Sequence, residues 1–266
     1  MRYLKLIFLP LLCPILANAQ KLPSVQKESL RAPANIKIDG KADEWDSQFK
    51  AYNHATELFY TIANDDDDLY LAIRVTNSRA IDKIINGGIT FSFKDPLNKK
   101  ATPLTITYPL ILKPDWNKAT GALYRKTIST DTLRTWNDNL ERVSKEIRIQ
   151  GCSAISDSSI SLYNEYGIKA KQQFDVNKTW TYELAIPLKY LSHLINNDGE
   201  LKYNIKVNGI AKKDQGAMVD GKQVSVDDPR IQEMMARFAA EGHVFQSYNY
   251  SVSPTDFSAI YKLAKP

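Results

Sequence analysis

"NDDDDLYLAIRV", residues 64–75, sets four consecutive aspartates against an alternating apolar run, and its reading decides the fold. Leu69, Leu71, Ile73 and Val75 fall on one side of an extended chain, with Tyr70, Ala72 and Arg74 on the other. Side chains of a strand point alternately to its two faces, so this is the pattern of a half-buried strand in an antiparallel sheet. The stretch before it, "ELFYTIA" (57–63), is rich in the same β-branched and aromatic residues. The polar break "NDDDD" then reads as the turn of a hairpin.

Upstream, "NIKIDGKADEW" (35–45) predicts a short strand, a turn at Asp39-Gly40 and a polar segment ending on Trp45. Residues 20–34 are polar, contain Pro23 and Pro33, and read as an exposed lead-in. Downstream, "GGITFSF" (87–93) and "LTITYPLIL" (104–112) keep the β character, and 113–130 reads as loop. Between 131 and 149, Leu133, Trp136, Leu140, Val143 and Ile147 recur at steps of three and four. That spacing predicts an amphipathic helix terminated near Gly151.

The alternating "TWTYELAIP" (179–187) is a strand entering a short helix "PLKYLSHLI" through Pro187, a residue suited to a first helical turn. "ELKYNIKVNGI" (200–210) and "FSAIYKLA" (257–264) are further strands, and "PRIQEMMARFAAEG" (229–242) a helix in a long excursion. So many amphipathic strands need a facing layer. The expected fold is all-β, a two-sheet antiparallel β-sandwich, jelly-roll-like, with helical insertions.

The chain opens on "MRYLK", an apolar run broken by Pro10 and Pro14, and Ala17-Asn18-Ala19. This is the layout of a secretory signal peptide over residues 1–19, too short to span a bilayer. The expectation is an exported protein, periplasmic or extracellular, whose residues 20–266 form one domain without a membrane span. Cys152 would then be its lone cysteine, leaving no intrachain disulfide. The formal charge of +5 is interspersed, without a basic block, which argues against a nucleic-acid partner.

Catalytic motifs are missing: no HExxH, no GxSxG, no Gly-rich phosphate loop and no cysteine pair for metal. His54, His193 and His243 stand in no motif, and Cys152 has no local partner base. Glu57, Glu165 and Glu183 make a glycosidase pair only if folding sets two of them at the required separation. The run Asp65, Asp66, Asp67, Asp68 departs from an EF-hand, because Leu69 interrupts the alternation and no loop glycine or final glutamate follows. A solvated turn is its plainer reading. These aspartates, with Asp39, Asp43 and Glu44, are candidates for a structural calcium.

Four pieces in order, "IKIDGKADEW" (36–45), "FYTIANDDDDLYLAIRV" (59–75), "YELAIPLKYL" (182–191) and "FSAIYKLA" (257–264), resemble the family 9 carbohydrate-binding module and its DOMON-like relatives. The resemblance spans residues 36–95 and 178–264, and an insertion at about 95–177 departs from it. It implies a two-sheet sandwich, often attached to or encoded near glycan-degrading enzymes and commonly calcium-bearing. The expected function is non-catalytic binding of a poly- or oligosaccharide in carbohydrate catabolism. Trp45 and Trp180 fall at structural positions of that family.

Sugar binding needs an exposed aromatic face for the C–H side of a pyranose, with amides and acids to read its hydroxyls. Two clusters in the insertion fit: Trp116 with Asp115 and Asn117, and the run Tyr163, Asn164, Glu165, Tyr166. Trp136 lies on the helical stripe and reads as core. The resemblance also admits a b-type haem held by Met and His, here among Met218, Met234, Met235 and the three histidines. A third reading is an envelope structural or assembly protein that meets a protein partner.

Overall fold

The computed structural model describes residues 21–45, 49–98, 100–211, 215–219, 222–240 and 250–266. The segment expected to be a signal peptide and His243 lie outside the described residues, as does the side chain of Met218.

Two antiparallel sheets form a β-sandwich. The first has the order Ala51–Asn53 (β1), Leu58–Asn64 (β2), Asp68–Val75 (β3), Trp180–Pro187 (β9) and Lys169–Phe174 (β8). The second runs Thr255–Lys262 (β13), Glu200–Val207 (β10), Ile89–Phe93 (β4), Leu104–Tyr108 (β5), Glu146–Gln150 (β6) and Ser159–Ser161 (β7). The "NDDDD" hairpin is as expected, with Asn64 opposite Leu69 and Phe59 opposite Arg74. Alternate residues of both sheets fill the space between them, among them Leu69, Leu71, Ile73 and Val75 against Phe91, Ile106, Tyr203 and Ile205. The hairpin Gly216–Val219 (β11) with Lys222–Ser225 (β12), and helix Pro229–Ala240 (α4), make up the late excursion.

Three helices gather at one end. Ser78–Gly87 (α1) leaves from the Val75 end of β3, Trp116–Thr120 (α2) packs on α1, and Thr130–Val143 (α3) packs on α2 and β8. We call this the helical end; the Asp65–Asp68 turn marks the opposite, acidic end. Helix α1 is not assigned from the sequence, although Asn77 caps it by accepting from Arg79 N and Ala80 N, and Ala80, Ile81, Ile84 and Ile85 make its buried stripe.

Several boundaries differ from expectation. Helix α3 stops at Val143, and Ile147 belongs to β6. The buried Ser144 closes the helix, its Oγ donating to Leu140 O (2.6 Å) while accepting from Gln172 Nε2 (3.0 Å). Beyond it "EIRIQ" alternates with period two, and Ile147 satisfies both periods. Gly151, at φ +74°, turns the chain out of β6 rather than out of a helix. Residues 113–120 fold as a 3-10 turn and α2 instead of open loop. The segment after Pro187 forms two 3-10 turns, Leu188–Tyr190 and Ser192–Leu194, instead of one helix.

The largest difference concerns residues 21–49. No strand forms at 36–38, and the lead-in is not simply exposed. It lies over the outer face of the first sheet and builds a second, smaller core. Ala42, Trp45 and Phe49 pack on Ala63, Tyr70, Ala72 and Ala185, with Leu30, Ala32, Ile36 and Ile38 against them. Alanines at 63, 72 and 185 leave room for the covering chain, so both faces of β3 are buried.

Three side chains hold the cover down. Gln26 is buried and pairs with the β2 backbone, Nε2 donating to Ile62 O and Oε1 accepting from Ile62 N, both at 2.8 Å. Glu183, on the outer side of β9, accepts from Gly40 N (2.8 Å), Asp39 N (3.1 Å) and Trp45 Nε1 (3.1 Å). Burial pushes its carboxyl above the usual range, and these three donors hold it back. The stretches "IDGKADEW" and "YELAIP" therefore meet through one carboxylate. Gly40 has φ +86°, and a Cβ there would lie 2.9 Å from the Gln172 carbonyl carbon, so the turn requires glycine. Asn64 joins the lead-in, β2 and the last residues, donating to Ala264 O and accepting from Ala264 N and Tyr261 Oη.

Candidate functional site: a groove on the outer face of the first sheet

The two aromatic clusters expected to bind sugar lie at opposite ends of the sandwich. Trp116 opens α2 at the helical end, half-buried against the main core, with Nε1 donating to Ile111 O (3.0 Å). Asp115 accepts from Lys118 Nζ (2.6 Å), and Asn117 is exposed. Tyr163, Asn164, Glu165 and Tyr166 form the crossing from β7 to β8 beside the acidic end. There Tyr190 Oη donates to Tyr166 O (3.0 Å), and a Cβ on Gly167 would touch Pro187. Tyr163 and Glu165 are exposed, whereas Asn164 spends its amide nitrogen on Ser161 O and Ile168 O. Folding does not bring the two clusters together. Trp45, Trp136 and Trp180 are buried, as expected of core residues.

The four aspartates build their own turn. Asp65 Oδ1 accepts from Asp67 N (2.9 Å) and Asp68 N (2.7 Å), and Oδ2 accepts from Tyr70 Oη (2.7 Å). Burial pushes the Asp65 carboxyl up, but those donors and the nearby Arg31 outweigh it and leave the pKa below its ordinary value. Asp68 shifts upward through burial and the neighbouring Asp65 charge. Asp66 pairs with Arg31 at 2.9 Å. Among the described residues, no three His, Cys, Asp or Glu side chains gather as a metal-ion site.

The three glutamates considered for catalysis are dispersed. Glu57, at the helical end, accepts from Asn77 Nδ2 (2.7 Å) and from Tyr250 Oη. Glu165 lies by the acidic end, and Glu183 sits between them beneath the cover. His54 is exposed at the β1–β2 turn and His193 is exposed beyond β9, at opposite ends. No helix among the described residues is long and apolar enough to cross a membrane.

At the helical end of the outer sheet face the first residues of the lead-in flank the sheet instead of packing flat on it. There the surface sinks into a groove of about 800 Å³. Its floor is Phe59 on β2 and Arg74 on β3, direct cross-strand partners, beside Phe49. The Arg74 guanidinium stacks over the Phe49 ring at 4.5 Å, and Phe59 packs against Tyr52 at 4.4 Å. Lys21, Lys27, Glu28 and Lys50 form the rim. Arg74 also borders a second depression of about 350 Å³ that continues across β9 and β8 to Thr181 and Gln173. Arg74 borders both depressions, which together are called the trough. Sequence reading passes over these residues because they are dispersed; the available signal is an aromatic and an arginine on the outward face of paired strands.

No family model matches the chain, and no curated protein or solved structure matches it either.

Proposed function

We propose that this chain is an exported, non-catalytic module of the family 9 carbohydrate-binding type that binds a poly- or oligosaccharide along the trough on its first sheet. The observation that carries the reading is the larger depression of the trough: open, floored by Phe59 and edged by polar side chains. A pyranose chain presents apolar C–H faces and a fringe of hydroxyls, and such a surface answers both. Arg74, stacked on Phe49, brings a planar guanidinium to the floor beside Phe59. Neither Trp116, with its indole N–H bonded to Ile111 O, nor the Tyr163–Tyr166 crossing borders this surface.

Titration calorimetry of the whole chain against a glycan panel tests the reading. Phe59→Leu is expected to weaken binding about tenfold, which corresponds to roughly 1.4 kcal/mol of lost contact. Trp116→Phe leaves the affinity unchanged. Absence of binding to every glycan in the panel overturns the proposal. So does release of reducing sugar that disappears on Glu-to-Gln substitution, because the module would then be an enzyme.

A further inference from the structure

We infer that the trough selects an acidic glycan, a pyranose chain carrying carboxylate or sulfate groups; this rests on the saccharide reading above. Among the described residues, the rim of the larger part of the trough carries Lys21, Lys27 and Lys50 beside Glu28, with Arg74 at its floor. Depressions elsewhere, and the trough's own continuation, are more mixed in sign. That between α2 and α3 sets Lys118 and Arg125 beside Asp131. The continuation across β9 sets Lys41 beside Asp43 and Asp175. The depression at the acidic end sets Arg31 and Lys265 beside Asp65, Asp66 and Asp198.

These cations come from three places in the chain, the lead-in, the approach to β1 and the far end of β3. Only folding assembles them. Lys50 approaches Glu28 at 3.8 Å, a long contact to a largely exposed carboxylate, which a ligand anion displaces at small cost. Lys21 and Lys27 are exposed on the rim. A concave wall of low-dielectric protein concentrates the field of such charges, and charge complementarity then sets which ligand is accepted. A neutral glycan gains nothing from this arrangement. An acidic one gains ion contacts at the rim while its rings lie over Phe59. The four cations are fewer than the clustered basic footprint of a nucleic-acid surface, and Phe59 is a single ring rather than a stacking series.

The test titrates the whole chain with four probes: oligogalacturonate, dextran sulfate, a neutral cello-oligosaccharide and oligothymidylate. Each is run at about 20 mM and about 300 mM salt, conditions that bracket strong and weak screening. One of the acidic glycans is expected to bind at least about tenfold tighter than the neutral one at low salt, and to lose that advantage at high salt. Which of the two it is identifies the anion. The double variant K21E/K27E, both exposed positions, abolishes the advantage without shifting the melting temperature. Equal, salt-insensitive binding of the neutral glycan overturns this inference and leaves the saccharide reading standing. Failure of all three glycans overturns both. Tighter binding of oligothymidylate than of either acidic glycan overturns the inference in favour of a nucleic-acid surface.

Discussion

The two outer faces of this sandwich start from the same pattern and end differently. On the second sheet, β13 alternates half-buried with exposed residues, and its outward side chains join small polar networks. Asn204 Nδ2, for instance, donates to Asp256 Oδ2 (2.6 Å) and Ser258 Oγ (3.1 Å) in open solvent. On the first sheet, the outward residues of β3 and β9 include Tyr70, Ala72, Glu183 and Ala185, and a flanking segment covers them. The difference lies in side-chain size as much as in polarity. Three alanines create a shallow bed, and one buried carboxylate replaces a hydrated surface with fixed N–H donors. Where the bed ends, at Phe59 and Arg74, the trough begins. An outward face can thus be core along one part of a strand and an open groove along the next.

Breaking the cover should have the largest effect. Glu183→Ala removes the acceptor of three buried or part-buried donors and is expected to cost about 3 kcal/mol by chemical denaturation. A loss under about 1 kcal/mol would show that the cover rests on its apolar contacts alone. Gln26→Ala leaves the Ile62 N–H and C=O without their side-chain partners; about 2 kcal/mol is expected from the denaturant midpoint.

Asp65→Ala loosens the acidic turn by about 1 kcal/mol, read from thermal melts at neutral pH. Its sign with pH follows from a folded pKa below the unfolded one. The ionised form stabilises the fold above about pH 4, and this is lost as pH falls through the folded pKa, so the variant's stability should decline less over that range. The smallest effect sharpens the contrast from the other side. Asn204→Ala, in the solvated network, should change stability by no more than about 0.5 kcal/mol in the same melts.

The sandwich is legible because the period-two alternation of Leu69, Leu71, Ile73 and Val75 marks the face turned to the second sheet, even though the cover buries much of the other face as well. Local period is also why α3 was carried too far, since Ile147 fits a helix and a strand equally. The cover was not legible. Tyr70, Ala72 and Glu183 do not announce whether water or protein lies above them, and the segment that answers is remote in sequence. The trough was hidden for the same reason: Lys21, Lys27, Lys50, Phe59 and Arg74 have no spacing in common. Trp116 attracted attention by being a tryptophan among polar neighbours, yet its indole N–H bonds to a backbone carbonyl five residues away. A large aromatic in a polar stretch marks a place where the chain must turn back onto its core as readily as a binding face.

The lead-in has a further consequence, for the order in which the molecule assembles. Gly40 meets its carboxylate 143 residues later, and Leu30 meets Tyr261 across 231 residues. The lead-in therefore completes its contacts at Gly40 and Leu30 only once β9 and β13 exist, although its contacts with β1–β3 span far fewer residues. Closing loops of that length carries an entropic penalty that local contacts do not repay, and chains dominated by such distant pairings fold slowly. Until they close, the part of the alanine bed contributed by β9 lacks the turn at Gly40 that caps it.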